Sequence, residues 1–373
     1  MTSKSFLQKA ALIFISVLLS LFAAELILRA AMPARDKYWV WQPNLHYVFH
    51  PDSAVFDGIN GPSEFSINPD GFRGKEFKDS EKNYLCLGGS TTECLYLDNS
   101  ETWFHQLGQL QPESNFGSIG KSGCTTREHY IQLKYYAPQL GKLNGIVMMV
   151  GLNDMMKRLS QDSLFDNNFQ LTQSIEDSLV SAILLSNRHE KKWWRKTALF
   201  QLFKKVTHKQ QSEVNWKLQD DRGEIFKTWR TYRTQAVTII DSLPDLSYAL
   251  AEYERNLQLI YSETKRQGSN LILINQSALY KDSLTAYENN LLWMGGVGDF
   301  QKSTGHAYYS VKALSQALSL YNQRLAAFCA QKKDVKLIDI ATALPRDTSV
   351  FYDDCHFNES GARKVALLIS EQL

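Results

Sequence analysis

Ser90, Asp353 and His356 are the side chains in this sequence whose types and surroundings suit nucleophilic chemistry. A serine hydroxyl is a weak nucleophile at neutral pH. It becomes a useful one when an imidazole takes its proton and a carboxylate holds that imidazole in the right tautomer. Ser90 stands in YLCLGGSTTE, Tyr84 to Glu93, where a short apolar run meets Gly88-Gly89. The run suits a buried strand and the glycines permit a sharp turn, so Ser90 is predicted at the carboxyl end of a strand as the chain enters a helix. In an open α/β sheet ligands bind at that end, and a helix start favours the negative charge of an alkoxide. The same turn also suits a phosphate or a purely structural role, so a base elsewhere in the chain has to decide.

That base lies in FYDDCHFNESGARKVALLIS, where Asp353 and His356 share one loop ahead of a helix whose expected apolar face is Val365, Leu367, Leu368 and Leu373. Taken alone, this D-x-x-H also fits a solvated acidic loop. Two further segments bear on the choice. Ser118 to Thr126 reads SIGKSGCTT and Val147 to Asp154 reads VMMVGLND, each at the end of a predicted strand. The Gly123 N–H and the Asn153 amide can join the Ser90 N–H as donors to an oxyanion. Each segment by itself also reads as a plain turn, but four such sites in the order Ser, Gly, Asn, Asp-x-x-His do not arise readily by chance.

This order and spacing resemble the SGNH (GDSL-type) hydrolase superfamily over most of the chain from the region of Phe65 onward. The resemblance implies a three-layer α/β/α, flavodoxin-like fold with a central parallel sheet. It also implies Ser90 as nucleophile, Asp353 and His356 as acid and base, and Ser90, Gly123 and Asn153 as oxyanion hole. Gly88-Gly89-Ser90 stands where the family usually has Gly-Asp-Ser, and Ser118 where asparagine is common. No GxSxG surrounds Ser90, which argues against an α/β-hydrolase elbow. The implied activity is cleavage of a carboxylic ester through an acyl-enzyme on Ser90, the substrate being an ester such as an acylated carbohydrate or lipid. An O-acyltransferase acting on an envelope polysaccharide would use the same residues. A non-catalytic envelope scaffold would keep only the fold, and the survival of all the site residues argues against it.

The elements that must position these residues alternate between Lys82 and Asp154. Tyr84–Leu87, Asn115–Ile119 and Ile146–Val150 read as strands, Thr102–Leu110 and Thr126–Leu140 as helices, and strands resume at Leu271–Ile274 and Val335–Ile340. Such alternation predicts a parallel sheet with helices on both faces. Between Met155 and Asn270 the chain is far longer than one crossover needs, which predicts a helical insertion around 155–268 acting as a lid or cap. Its first half is basic, with Arg188, Lys191, Lys192, Arg195 and Lys196 around Trp193 and Trp194. That pattern fits an interfacial helix on anionic lipid, a lip over an anionic substrate, or a packed helix with a solvated basic face. Tyr248–Gln267 is predicted as a further helix. In YENNLLWMGGVGDF, Tyr287 to Phe300, Trp293 and Met294 can line an acyl or sugar pocket or simply anchor a loop.

At the amino end, Ala10–Met32 is apolar apart from Ser16, Ser20, Glu25 and Arg29. Its length matches the roughly 20 residues of one membrane-spanning helix. A cleavable signal peptide is the rival reading, but Met32-Pro33-Ala34 makes a poor cleavage site, so an uncleaved anchor is expected. Glu25 and Arg29 stand one helical turn apart and can pair, and Tyr38, Trp39 and Trp41 suit an aromatic belt. The short amino tail and the family resemblance favour an inward amino terminus with the catalytic domain outside the cytoplasm, in a bacterial periplasm. The expected organisation is therefore an anchor over 1–32, a lead-in over 33–80 that packs on the sheet edge and contains INPDGFRGKEF, and the hydrolase domain over 81–373.

Composition closes other routes. The 373 residues allow a large core, with 44% hydrophobic and 21% charged residues, as in folded globular chains. A net charge of +2 gives no electrostatic footprint for nucleic acid. The five cysteines form no spaced framework; a Cys124–Cys355 bridge is conceivable, but two buried thiols are the expectation. No HExxH, paired CxxC or P-loop occurs, and His46 with His50 lacks a third ligand, so neither metal nor cofactor is expected.

Overall fold

A computed structural model describes residues 3–31, 37–161, 171–186, 197, 199 and 220–373. The chain divides into two units, Met1–Tyr38 with Ser186–Glu213, and Trp39–Leu185 with Val214–Leu373. In the first unit α1 spans Ser3–Ala31. Its stretch Ala11–Leu28 has mean hydropathy 2.6 and no buried residue, so this helix is long and apolar enough to cross a membrane, a property that signal sequences share. Met32-Pro33-Ala34 lies outside the described residues, as does the basic segment from Arg188 to Lys209 apart from Thr197 and Leu199.

The second unit begins with an antiparallel pair, β1 (His46–Phe49) and β2 (Ser63–Ser66). The sheet then opens with β3 (Lys82–Gly88), followed by α2 (Ser90–Glu93), α3 (Trp103–Leu110) and β4 (Ser114–Ser118). Next come α4 (Thr126–Ile131), β5 (Gly145–Met149), α5 (Leu152–Ser160), α6 (Glu224–Thr234) and α7 (Ser247–Arg266). The chain ends with β6 (Asn270–Ile274), α8 (Val311–Ala330), β7 (Val335–Ile338) and α9 (Glu359–Ser370).

These strands form one parallel sheet in the order β7-β6-β5-β3-β4. The order has a mechanical consequence. The chain steps from β3 to β4 in one direction and then crosses back over β3 to reach β5. Because such crossovers are right-handed, the connecting helices fall on opposite faces. Accordingly α3 and α9 pack together, while α4, α5, α7 and α8 form a second packed group. The expected doubly wound α/β/α arrangement with a central parallel sheet is present. Burial on both faces explains the unbroken apolar runs: Leu85, Cys86 and Leu87 of β3 and Ile146 to Met149 of β5 are all fully buried.

The change of direction at β3 leaves a crevice between the carboxyl ends of β3 and β5, the usual ligand position in such sheets. Ser90 follows β3 there, and Asn153 follows β5.

Two local expectations differ from the structure. The apolar face of α9 is Ala362, Val365, Ala366 and Ile369, at helical spacing, whereas Leu367 and Leu373 are exposed. Leu367 sits two residues from Val365, about 200° around the helix, so both cannot face one core. The helix expected over Thr126–Leu140 is α-helical only to Ile131, widens to a π-turn over Gln132–Tyr136 and tightens over Ala137–Leu140, where Pro138 cannot donate. All five cysteines are free thiols, and none forms the conceivable Cys124–Cys355 bridge.

Candidate active site

The nucleophile turn is built by what surrounds it. Gly89 is the residue before α2, and a Cβ there would lie 2.1 Å from Asn153 Nδ2, so only glycine lets the two strand ends approach this closely. The helix starting at Ser90 is a single turn, ended by Cys94 in the left-handed region at φ 50°. So short a helix contributes free N–H donors rather than a large dipole. Ser90 N–H has no acceptor among the described residues, as expected of a first helical residue.

Beneath this turn lies Arg73, from the lead-in piece INPDGFRGKEF. Its guanidinium donates to the carbonyls of Glu93, Cys94, Glu64 and Leu97 at 2.9, 2.9, 3.1 and 2.6 Å and to Asn99 Oδ1 at 2.8 Å. It thus caps the strained end of α2 from below. Burial pushes its pKa down to about 10, which still leaves it charged at neutral pH. Its backbone pairs with Ser118 at the end of β4, through two N–H···O bonds of 2.8 Å. Arg73→Ala leaves several buried carbonyls unsatisfied and is expected to cost about 3 kcal/mol of stability. Urea unfolding followed by tryptophan fluorescence measures this, and a midpoint equal to wild type would refute the capping role.

The oxyanion side is held by three tethers. Ser118 donates its hydroxyl to Thr92 O at 3.2 Å and accepts Gly120 N–H at 3.1 Å. The buried Glu93 carboxylate accepts the Ser122 N–H at 3.1 Å and the Ser122 hydroxyl, joining the nucleophile turn to the Ser122-Gly123 loop. Asp154 accepts the Thr126 N–H at 3.1 Å and its hydroxyl at 2.5 Å, which ties the start of α5 to the start of α4. Burial pushes the Asp154 carboxyl up to about 7.

Gly123 has φ +79°, a conformation that glycine adopts without strain, and a Cβ there would meet open space. Its N–H has no acceptor among the described residues. The Asn153 amide donates one hydrogen to Cys124 O at 2.8 Å, leaving its second hydrogen for another acceptor.

The base and acid close the set. His356 Nε2 lies 2.6 Å from Ser90 Oγ, although 266 positions separate them in the chain. His356 Nδ1 faces Asp353 Oδ2 at 2.7 Å and Oδ1 at 2.9 Å. Asp353 Oδ1 also accepts the backbone N–H groups of Cys355 and His356 at 3.0 and 2.9 Å, and Oδ2 accepts the Trp293 indole N–H at 2.9 Å. Burial alone pushes the Asp353 carboxyl up, but the charge of His356 and these hydrogen bonds hold it below the usual carboxylate range. Burial pushes the imidazole down, and the Asp353 charge and hydrogen bond, with Asp354 and Glu93, hold it above its ordinary value.

A cavity of about 440 Å³ opens over these groups, lined by Ser90, Gly123, Asn153 and His356 and walled by Phe226, Trp229, Trp293 and Tyr352. Phe226 and Trp229 come from α6, inside the stretch expected as a lid, and no motif marks them. Arg230 of α6 fastens that helix by donating to Val55 O at 2.9 Å and Tyr352 O at 3.0 Å. Asp353, Cys355 and His356 place one potential ligand atom each within 4.8 Å of one another. His356 Nδ1 already faces the carboxylate, and burial pushes the Cys355 thiol well above its ordinary value.

No family model and no curated protein matches the sequence. Among solved structures, a putative lipolytic protein of the G-D-S-L family from Desulfitobacterium hafniense is similar at 11% identity and TM-score 0.41, covering 79% of this chain and 100% of its own. TesA is similar at 12% identity and TM-score 0.41, covering 78% and 98%. A catalytic mutant of Axe2, an acetylxylan esterase from Geobacillus stearothermophilus, is similar at 12% and 0.41, covering 80% and 96%. Likeness at this level carries no weight for the chemistry, which rests on the distances above.

Proposed function

We propose that the chain is a serine esterase of SGNH type that cleaves carboxylic esters through an acyl-enzyme on Ser90. The observation that carries this reading is the unbroken line from Ser90 Oγ to His356 Nε2 at 2.6 Å and from His356 Nδ1 to Asp353 at 2.7 Å. His356 takes the Ser90 proton as Oγ attacks the ester carbonyl, and Asp353 stabilises the imidazolium. The N–H groups of Ser90 and Gly123 and the free hydrogen of the Asn153 amide meet the oxyanion. Collapse expels the alcohol, protonated by His356. The same imidazole then deprotonates water for attack on the acyl-enzyme, and release of the acid restores Ser90.

The cavity is large enough to hold part of the alcohol as well as the acyl group, which fits an acylated carbohydrate or lipid. The apolar α1 would anchor the domain at a membrane with its amino terminus inside, and protease access to the domain in intact cells tests that side.

Asn153→Ala removes one of three oxyanion donors, and losing one donor typically costs about 3 kcal/mol of transition-state stabilisation. Turnover of a short-chain p-nitrophenyl ester should therefore fall roughly a hundredfold or more, while stability falls by only about 1 kcal/mol through the lost bond to Cys124 O. Equal turnover in the variant would refute the role given to Asn153. Release of free acid with no added acceptor distinguishes hydrolysis from acyl transfer.

A further inference from the structure

Trp293 reaches the triad from a different part of the chain. Its indole N–H donates to Asp353 Oδ2 at 2.9 Å, the same oxygen that faces His356 Nδ1 at 2.7 Å. The other carboxylate oxygen is held by backbone N–H groups, so rotation of the carboxylate is checked on one side by the main chain and on the other by this indole. The indole is itself fixed. Trp293 N–H and Met294 N–H both donate to Asp354 Oδ2, at 2.7 and 3.2 Å, and the Tyr280 hydroxyl donates to Asp354 Oδ1 at 3.1 Å. Asp354 is fully buried, and Arg233 holds the loop from the other end by donating to Met294 O. The Trp293 ring packs on Trp229, with centroids 4.6 Å apart, and forms part of the cavity wall.

We infer that Trp293 is a positioning residue: its indole N–H holds the Asp353 carboxylate in place against His356 while its ring walls the cavity over Ser90, and buried Asp354 sets the loop that carries it. This inference rests on the proposed catalytic roles and adds a residue that touches both the substrate cavity and the acid of the triad.

The arrangement has an electrostatic consequence. A hydrogen bond to the carboxylate draws off part of its negative charge and so limits how far Asp353 raises the His356 pKa. The imidazole also feels Asp354 and Glu93, which raise it, and burial, which lowers it. The Cys355 thiol lies 3.9 Å from Nδ1, and the Tyr352 ring stacks at 5.6 Å between centroids. Trp293→Phe keeps an aromatic wall and removes only the donor. Trp229→Phe is the matched control, because the Trp229 indole donates to Gln301 O at 3.1 Å and not to Asp353.

The test is a histidine titration by nuclear magnetic resonance on the full chain in detergent, with His356→Gln to assign the signal. His356 should titrate higher by about half a pH unit in Trp293→Phe, and at the wild-type value in Trp229→Phe. In the same variant kcat should fall about tenfold with KM little changed, because the carboxylate, still paired with His356, holds the imidazole less rigidly toward Ser90 while the wall remains. An unchanged titration in Trp293→Phe, or an equal shift in both variants, would overturn the inference. A second measurement needs no substitution: in wild type the Trp293 indole N–H resonance should move with the same midpoint as His356, and a resonance indifferent to pH there would also overturn it. Absence of a fluorophosphonate adduct on Ser90 would instead sink the esterase reading, and the titration result would stand.

Discussion

Replacing Ser90 with alanine is expected to lower ester hydrolysis by about 10⁶-fold, the loss seen when a serine nucleophile of this kind is removed. The change deletes one oxygen that accepts no backbone donor and ends 2.6 Å from His356 Nε2. The His356–Asp353 pair, the Gly123 and Asn153 donors and the cavity all remain. What survives is the catalysis of the donors and of binding alone, about 10³-fold over water. Because alanine is a good helix former at the start of α2, stability should change by less than about 0.5 kcal/mol. Initial rates with a chromogenic ester in detergent decide the point. A loss of only a few-fold would mean that water attacks the ester directly and that no acyl-enzyme forms on this residue.

Asp353→Asn is expected to cost about 10⁴-fold in kcat while leaving the shape of the loop intact. An amide in this place turns an N–H toward His356 Nδ1, so the imidazole carries its proton on Nε2 and cannot accept the one from Ser90. The pH profile supplies a second signature. His356 must be neutral to act as base, and its pKa lies above the ordinary imidazole value of 6.5, so the wild-type rate falls as pH drops through that raised value. Burial pushes His356 down and the Asp353 charge and hydrogen bond push it up. With the charge gone, burial prevails and the acidic limb of the residual activity should move to lower pH. A limb that stays in place, or a rate near wild type, would show that Asp353 does not govern the imidazole.

The residues that could be read from sequence are those whose neighbours along the chain announce a local geometry. Ser90, Gly123 and Asn153 each follow an apolar run with glycine close by, so strand, turn and helix start are written into a few consecutive residues. Asp353 and His356 share one loop, and their spacing states their proximity. Fold class was legible for the same reason, since alternation of strand and helix patterns leaves few topologies once crossovers are right-handed. Arg73, Phe226 and Trp229 were not legible in these terms. Arg73 matters because four carbonyls from three segments converge on it, and Phe226 and Trp229 matter because α6 folds over the crevice. Trp293 is legible in sequence only as a pocket residue or a loop anchor; its bond to Asp353 spans 60 positions, and no local pattern encodes such a contact. The misjudged face of α9 has a simpler cause. Leucines at 367, 368 and 373 look like a core stripe by composition, while the helical period buries the smaller Ala362 and Ala366 with Val365 and Ile369.

The central claim is that the Ser90 hydroxyl, activated by His356, is the nucleophile. Incubating the full chain with a fluorophosphonate and reading intact mass, followed by peptide mapping, tests it most directly. The account predicts one adduct per chain, located on Ser90 and absent in both Ser90→Ala and His356→Gln. No adduct on the folded protein, or an adduct on a different residue, would contradict it.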